Sequence, residues 1–281
     1  MSLQSQSNYT PTRPEYCMKN NLWRTAILVH LALPLPHLRA HPRGCNCQDN
    51  YDSRAHDPGR RPRKRPPDVD PFGEHDQRCP LTFTLGRHDE VQEGALRPTL
   101  TANNILVSTS KTSELRREDD PFDHSRRKGD LTATGLFDDG ATILDVGITH
   151  PTIDSSISSL SSKVRAAGAN AYAAAKDRRA NKIIEEKGLS IGFKAITFGT
   201  YGAFGKATHK LIASATANTP RPVFSPWVRP SPKQHAYLLF GFCLARANAR
   251  MLINAASKRS SAKNAVRASR PRYTSPVAVN G

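Results

Sequence analysis

Two short stretches decide the fold that we expect for this chain: Lys128-Gly129-Asp130-Leu131 and Ile143-Leu144-Asp145-Val146. The second ends an apolar run typical of a β-strand, and the two stretches can pair as a hairpin. That hairpin would bring the carboxylates of Asp130 and Asp145 to one end, where they repel each other unless a divalent cation lies between them. Such a cation supports phosphodiester hydrolysis. The alternative is a pair of solvated turn aspartates.

The charge of the chain indicates a polyanionic partner. Its 281 residues include 41 Lys and Arg against 24 Asp and Glu, a formal net charge of +17. Basic residues bind phosphate without reading base sequence, so we expect DNA or RNA, with an anionic membrane surface as the weaker alternative. Only 37% of the residues are hydrophobic and 21 are Pro, which favours one modest domain with disordered flanks.

The cysteines and the hydropathy pattern favour an intracellular protein. Five cysteines are an odd number, and their clustering argues against a disulfide framework, so a reducing compartment fits better. The apolar segment 26–36 contains His30 and Pro34 and is too short to span a membrane. A long, mostly polar stretch precedes it, unlike a signal peptide. We expect no membrane-spanning segment, and neither a membrane nor a small-molecule substrate as partner.

The order of apolar patterns and breakers predicts the central elements. They are a short helix before Pro98 in 87–100, a strand in 101–109, the hairpin in 129–149, a helix in 156–187 ended by Gly188, and a strand in 192–198. A small mixed sheet flanked by helices follows, which is an α/β (α+β) fold. The Ala-rich stretch within 156–187 is the clearest helix.

The remaining segments complete the plan. Residues 21–80 comprise a helix from Asn21 toward Pro34 and a loop region rich in Cys and His, and 81–218 form the core domain. Residues 219–235 are a Pro-rich linker, and 236–256 are an amphipathic helix. We expect disorder in 1–20 and in the basic tail 257–281.

Four metal-ligand side chains lie in the N-terminal loop region: Cys45, Cys47, His75 and Cys79. Thiolate and imidazole in a set of four suit tetrahedral Zn²⁺, with unrelated surface residues as the alternative. The spacer between the two pairs holds a basic insert, whose charged members are Arg60, Arg61, Arg63, Lys64 and Arg65. This insert can bind phosphates, serve as a nuclear-import signal or simply be solvated.

Several short motifs follow one another between residues 22 and 256. They are Leu33-Pro34-Leu35-Pro36 with Cys45 and Cys47, then Val69-Asp70-Pro71-Phe72-Gly73-Glu74-His75 with Cys79, Arg87-His88, Gly129-Asp130, Leu144-Asp145-Val146 with Thr149 and Pro151, the Ala-rich helix 166–182, Phe198-Gly199-Thr200-Tyr201-Gly202, and Arg246-Ala247-Asn248-Ala249-Arg250. In this order the series resembles the C-terminal part of non-LTR retrotransposon polyproteins. There a Cys-Cys-His-Cys zinc knuckle precedes a restriction-endonuclease-like domain of the PD-(D/E)XK type.

The resemblance implies roles for individual residues. Asp130 and Asp145 would hold Mg²⁺ or Mn²⁺, and Lys182 would orient or help to deprotonate the attacking water. Arg87 and His88 would contact the DNA backbone or line the cleft. The knuckle, which would hold structural Zn²⁺, corresponds to Cys45, Cys47, His75 and Cys79.

In the knuckle, Gln48 follows Cys47 where the family has Gly, and the basic insert lengthens the spacer, which is short in the family. Outside the knuckle, the chain departs from the family pattern at four positions. Asp89 stands where the Arg-His-Asn motif has Asn, Gly129 where the Pro-Asp motif has Pro, Gly147 where Asp-Val-Thr has Thr, and Ile183 where a Tyr follows the lysine. These departures leave both acids in place. No Tyr-x-Asp-Asp signature of a reverse transcriptase occurs on a plausible hairpin.

The sequence therefore predicts a retrotransposon-derived, metal-dependent DNA endonuclease with a nuclear location. Its partner would be DNA, with RNA of the parent element as a further candidate. A second reading is a nucleic-acid-binding remnant without catalysis, which the missing Pro, Thr and Tyr favour. A third is an unstable relic, which the low apolar content favours.

Overall fold

The computed structural model describes residues 18–31, 33–36, 76–77, 84–109, 115, 129–137, 140–150, 166–218 and 230–268, with side chains up to Lys258. The expected disorder of residues 1–17 and of the end of the basic tail lies outside this part. The expected linker lies mostly outside it as well.

A four-stranded mixed sheet forms the centre of the fold. Its strands are β1 (Leu106–Thr109), β2 (Leu131–Thr134), β3 (Ala141–Thr149) and β4 (Gly192–Gly199), in that spatial order. Strands β1 and β2 pair antiparallel, as do β2 and β3, whereas β3 and β4 are parallel. The predicted mixed sheet with flanking helices is therefore confirmed at the level of an α+β fold.

Helices cover both faces of the sheet. They are α1 (Asn20–His30), α2 (Thr84–Val91), a π-helical segment (Gln92–Leu96), α3 (Arg97–Ala102), α4 (Ala167–Glu186), α5 (Lys206–Ala215) and α6 (Pro232–Ala268). The element order is the predicted one, with α5 as an additional short helix.

Side chains alternate between the two faces of the sheet along each strand, so the core has two parts, one on each face. Leu144 and Val146 of β3 face the layer built by α2, the π-helical segment, α3, α5 and α6. Ile143, one residue out of phase, faces α4 together with Phe193 and Ala195 of β4. Because side chains alternate along a strand, Asp145 lies on the α4 face. A strand pair covered on both faces is the usual setting of parallel strands.

The helix around Pro98 runs further than predicted. We expected it to end before this proline, but α3 continues through it to Ala102. Proline has no N–H to donate to the carbonyl four residues earlier, and its ring crowds that carbonyl. The π-helical segment directly before α3 is the kind of local widening that accommodates such a defect.

Helix α6 is also longer than the predicted 236–256, beginning at Pro232 within the expected linker and ending at Ala268 within the expected tail. Its start carries a capping box that the sequence analysis missed. The Ser231 hydroxyl accepts the Gln234 N–H at 3.2 Å, and the Gln234 side chain accepts the Ser231 N–H at 2.9 Å. Pro232 stands at the first helical position, where its missing N–H costs nothing.

Part of α6, Pro232–Lys258, is long and apolar enough to cross a membrane, judged by length and composition alone. The expectation that no segment reaches this length is therefore wrong. In this structure 56% of the most apolar window is buried, and α6 packs against α1, α2 and the π-helical segment. A core helix of a soluble protein meets the same criterion.

Candidate active site at the carboxylate pair

The hairpin brings the two aspartates together as predicted. Leu131 pairs with Leu144, so Asp130 and Asp145 are the next residues of the antiparallel register. The Asp130 N–H donates to the Leu144 carbonyl at 2.8 Å. The Asp130 Oδ2 atom accepts the Val146 N–H at 2.6 Å. The Asp130 carboxylate is thus held at the start of β2 by the backbone of β3.

His88 of α2 makes a second contact with Asp130. Its Nε2 atom lies 2.9 Å from Asp130 Oδ2, and its Nδ1 atom lies 3.2 Å from the Asp89 carboxylate. Burial alone lowers the pKa of His88, but hydrogen bonding to Asp130 and the negative charges around the ring outweigh it, so the net pKa is raised. The imidazole therefore favours its charged form beside the carboxylate pair.

Asp145 is paired with a lysine that the sequence analysis did not select. The Lys176 ammonium of α4 donates a short hydrogen bond to Asp145 Oδ2. Burial raises the pKa of Asp145, and the nearby Asp130 charge adds to it, while Lys176 opposes the shift. Burial would lower the pKa of Lys176, but the charge and hydrogen bond of Asp145, together with Tyr172, outweigh burial, so the pKa of Lys176 is raised. Lys176 is therefore a firmly protonated group.

Tyr172 holds Lys176 from the other side. It precedes Lys176 by one helical turn, and the ammonium lies 5.0 Å from the centroid of the tyrosine ring. The same ring packs on Gly147 of β3, where a Cβ atom would come within 2.6 Å of Tyr172 Cε1. The absence of a side chain at Gly147 therefore makes room for Tyr172.

Lys182 does not join this group. Its ammonium lies 3.7 Å from Glu186 on the outside of α4, and 66% of its side chain is exposed. The lysine predicted for the site is therefore replaced by Lys176. Helical periodicity could have distinguished the two, because Lys176 lies between the buried Ala173 and Ala180 at helical spacing, whereas Lys182 does not.

Arg87 is buried rather than presented to a ligand. Only 6% of the residue is exposed, and its Nη1 atom lies 3.4 Å from Asn248 Oδ1 on α6. Burial lowers the pKa of Arg87 to about 10. The predicted contact between Arg87 and the DNA backbone therefore has no surface to act through in this structure, and the His88 ring is turned to Asp130 instead.

Glu90, one turn after Arg87, joins α2 to the Arg246–Arg250 motif. It accepts hydrogen bonds from Arg246 Nε at 2.7 Å and from Arg250 Nη1 at 2.7 Å, with a further short contact from Arg246 Nη2. The carboxylate is largely buried. The two motif arginines thus hold α6 against α2.

The other predicted site residues lie outside the described residues. They are the zinc ligands Cys45, Cys47, His75 and Cys79, and the basic residues Arg60, Arg61, Arg63, Lys64 and Arg65. Among the residues that the structure describes, no group of three or more His, Cys, Asp and Glu side chains is arranged to hold a metal ion. Cys243, a free thiol in α6, is buried, and burial raises its pKa to about 11.

Fold and site together define an α+β protein in which a largely buried carboxylate pair, one lysine and one histidine meet beside strands β2 and β3 of a mixed sheet. In comparisons with known proteins, the chain matches no family model, no curated protein and no solved structure.

Proposed function

We propose that this chain is a metal-dependent DNA endonuclease of the restriction-like type, derived from a non-LTR retrotransposon. The observation that carries the proposal is the meeting of Asp130 and Asp145 with Lys176 in a largely buried site. The pKa values of Asp145 and Lys176 are both shifted, and shifted pKa values in such a setting are typical of catalytic sites. The motif order and the net charge of +17 support a nucleic-acid substrate and a nuclear location.

The donor set fits a divalent cation. Both carboxylates use Oδ2 for their hydrogen bonds, so among the described residues neither Oδ1 atom is taken by a hydrogen bond. Hard cations such as Mg²⁺ and Mn²⁺ prefer carboxylate oxygens, and the repulsion between two acids favours a cation between them. When bound, the cation would supply a Lewis acid that neutralises phosphate charge. Structural Zn²⁺ at Cys45, Cys47, His75 and Cys79 is part of the same proposal.

The protonated Lys176 indicates its chemical role. A lysine with a raised pKa is a poor base at neutral pH, so it would not deprotonate water as we expected of Lys182. Its ammonium would instead donate a hydrogen bond to a phosphate oxygen and stabilise the negative charge that develops during cleavage. Asp145 and Tyr172 would orient that ammonium. His88 would hold Asp130 in the same way.

A second candidate function follows from the same ion pair. Lys176 already neutralises Asp145, and His88 and the Val146 N–H already satisfy Asp130. The site is therefore stable without a cation, as a nucleic-acid-binding remnant without catalysis would require. Such a remnant would bind DNA through its basic residues alone.

Nicking of supercoiled plasmid with Mg²⁺ or Mn²⁺ separates the two functions. The parent chain should nick the plasmid, and the Asp130→Ala/Asp145→Ala double variant should not, while it still shifts DNA in a gel. Lys176→Met should lower the nicking rate by roughly 10²- to 10³-fold, and Lys182→Met, on the same helix, is the matched control. Nicking by the double variant as fast as by the parent would overturn the proposal. Nicking by neither, with a retained gel shift, would establish the remnant.

A further inference from the structure

The side-chain amide of Asn248 is buried where α6 contacts α2. Only 3% of this residue is exposed. Its Nδ2 atom donates to the Thr200 carbonyl at 2.8 Å, directly after β4, and its Oδ1 atom accepts from Arg87 on α2. One side chain therefore joins the helix that carries His88 to the carboxyl end of the parallel strand pair.

The connection continues into β3. The Thr200 N–H and the Thr200 hydroxyl both donate to the Thr149 carbonyl at 2.8 Å. Thr149 ends the strand that carries Asp145. The path from Arg87 through Asn248 and Thr200 to Thr149 thus spans α2, α6 and both parallel strands with direct hydrogen bonds.

Asn248 matters to Arg87 in particular. Its amide is the one hydrogen-bond acceptor that the described part of the chain offers to this guanidinium, and Arg87 Nε has no partner there. A buried polar group is costly unless it is bonded. Loss of the acceptor would therefore drive Arg87 to move, and His88 is the next residue on the same helix.

We propose that Asn248 is a positioning residue that fixes α2 against the strand ends and so holds the His88 ring on Asp130. This makes the C-terminal helix a part of the candidate active site. The effect on cleavage rests on the proposed function, whereas the effect on geometry does not.

The Val146 amide provides a readout of that geometry. It donates at 2.6 Å to Asp130 Oδ2, the atom that His88 also contacts. Its proton resonance therefore reports how firmly Asp130 is held. General destabilisation would lower the melting temperature but would leave this resonance unchanged in the folded protein.

The experiment compares Asn248→Ala and Asn248→Asp with Asn254→Ala and Asn254→Asp in the full-length chain. Asn254 is an exposed asparagine on the same helix, so it controls for both substitutions. Asn248→Asp retains the size of the side chain, but it sets a carboxylate against the Thr200 carbonyl. We expect both Asn248 variants to shift the Val146 amide and the His88 ring resonances, and both Asn254 variants to leave them unchanged.

In the nicking assay, the Asn248 variants should lose kcat by roughly tenfold to hundredfold with KM unchanged, the effect of a small misplacement of a site group. If Asn248→Ala does not fold, Asn248→Asp decides the outcome. A folded Asn248 variant with the parent's Val146 and His88 resonances would overturn the proposal, whatever its melting temperature. If the parent chain does not nick plasmid, the proposed function fails, and the resonances still test the positioning role.

Discussion

Gly129 and Gly147 stand where the resembling family carries Pro and Thr, and each has a physical reason in this chain. Gly129 has φ of +104°, a conformation that proline, locked near −65°, cannot adopt. At Gly147 a Cβ atom would collide with Tyr172. A proline at position 129 and a threonine at position 147 would therefore each conflict with the local structure of this chain.

Gly147→Thr tests this interpretation at the residue scale. The larger side chain must displace the Tyr172 ring, and such overpacking typically costs about 1–3 kcal/mol of unfolding free energy. Urea unfolding measures the cost. Gly241→Ala in α6, where a Cβ atom would meet nothing within 4 Å, is the control, and it should be neutral or stabilising by up to ~1 kcal/mol. A Gly147→Thr variant as stable as the parent would contradict the assigned packing.

His88 predicts a pH dependence of stability. Its pKa is raised in the folded state above the ordinary value of 6.5, so folding favours the protonated ring. This stabilisation is fully present below the unfolded pKa, and it is lost as pH rises through the higher folded pKa. In EDTA, the free energy of unfolding lost by His88→Gln should therefore be larger at about pH 5.5 than at about pH 9.

The control for this measurement is His30→Gln, which removes an exposed imidazole from the end of α1. It should change the pH profile of unfolding far less than His88→Gln does. If His88→Gln lowers stability equally at both pH values, the contact between His88 and Asp130 does not depend on the ring's charge.

At the scale of elements, the contact between α2 and α6 includes an ion-pair network of one carboxylate, Glu90, and two guanidiniums. Glu90→Gln would remove the charge that faces Arg246 and Arg250, and the partly buried Arg246 would lose its charged partner. We expect a loss of roughly 2–4 kcal/mol in unfolding free energy. Chemical denaturation measures it.

Glu93→Gln provides the matched comparison for Glu90→Gln. Glu93 is exposed and forms an i,i+4 ion pair with Arg97 at 2.8 Å. Exposed helical pairs contribute about 0.3–0.5 kcal/mol, so this variant should remain close to the parent. Equal losses for the two variants would show that the Glu90 contacts do not stabilise the packing of α2 against α6.

Element boundaries show how far local patterns reach. We predicted the hairpin, strand β4 and the end of α4 just before Gly188 correctly. Their signals are local: side-chain alternation along the strands, and a glycine in the left-handed region (φ +60°) after the helix. The π-helical segment and its continuation into α3 were missed because a proline such as Pro98 typically ends a helix. Helix α5 was missed although its buried residues, Thr208, Leu211, Ile212 and Ala215, follow the i, i+3, i+4, i+7 spacing of an amphipathic helix.

For the whole molecule, the net charge of +17 predicts strongly salt-dependent DNA binding. Each neutralised phosphate releases condensed counterions, so the logarithm of the binding constant should fall linearly with that of the salt concentration. If about 6–10 phosphates are contacted, affinity falls roughly 10³- to 10⁵-fold between about 50 and 200 mM salt. Fluorescence anisotropy with labelled duplex measures the slope, and a slope near zero would contradict electrostatic binding.

The same titration with the Asp130→Ala/Asp145→Ala variant distinguishes DNA binding at the carboxylate pair from DNA binding by the basic residues. Removal of the two negative charges of the carboxylate pair should leave DNA affinity unchanged or raise it, with a similar salt slope, because carboxylates repel phosphate. A weaker complex for this variant would indicate that the carboxylates contribute to DNA binding through bound cation.

The sequence alone determined the mixed sheet, the helices on it and the convergence of Asp130 and Asp145. These follow from side-chain periodicity and from hairpin pairing between neighbouring segments. Only the tertiary structure decided that Lys176 rather than Lys182 meets Asp145, that Arg87 is buried, and that Asn248 joins α6 to the strand ends. The reason is physical: periodicity defines the faces of a helix, but the face that meets the sheet is selected by packing between segments far apart in the chain.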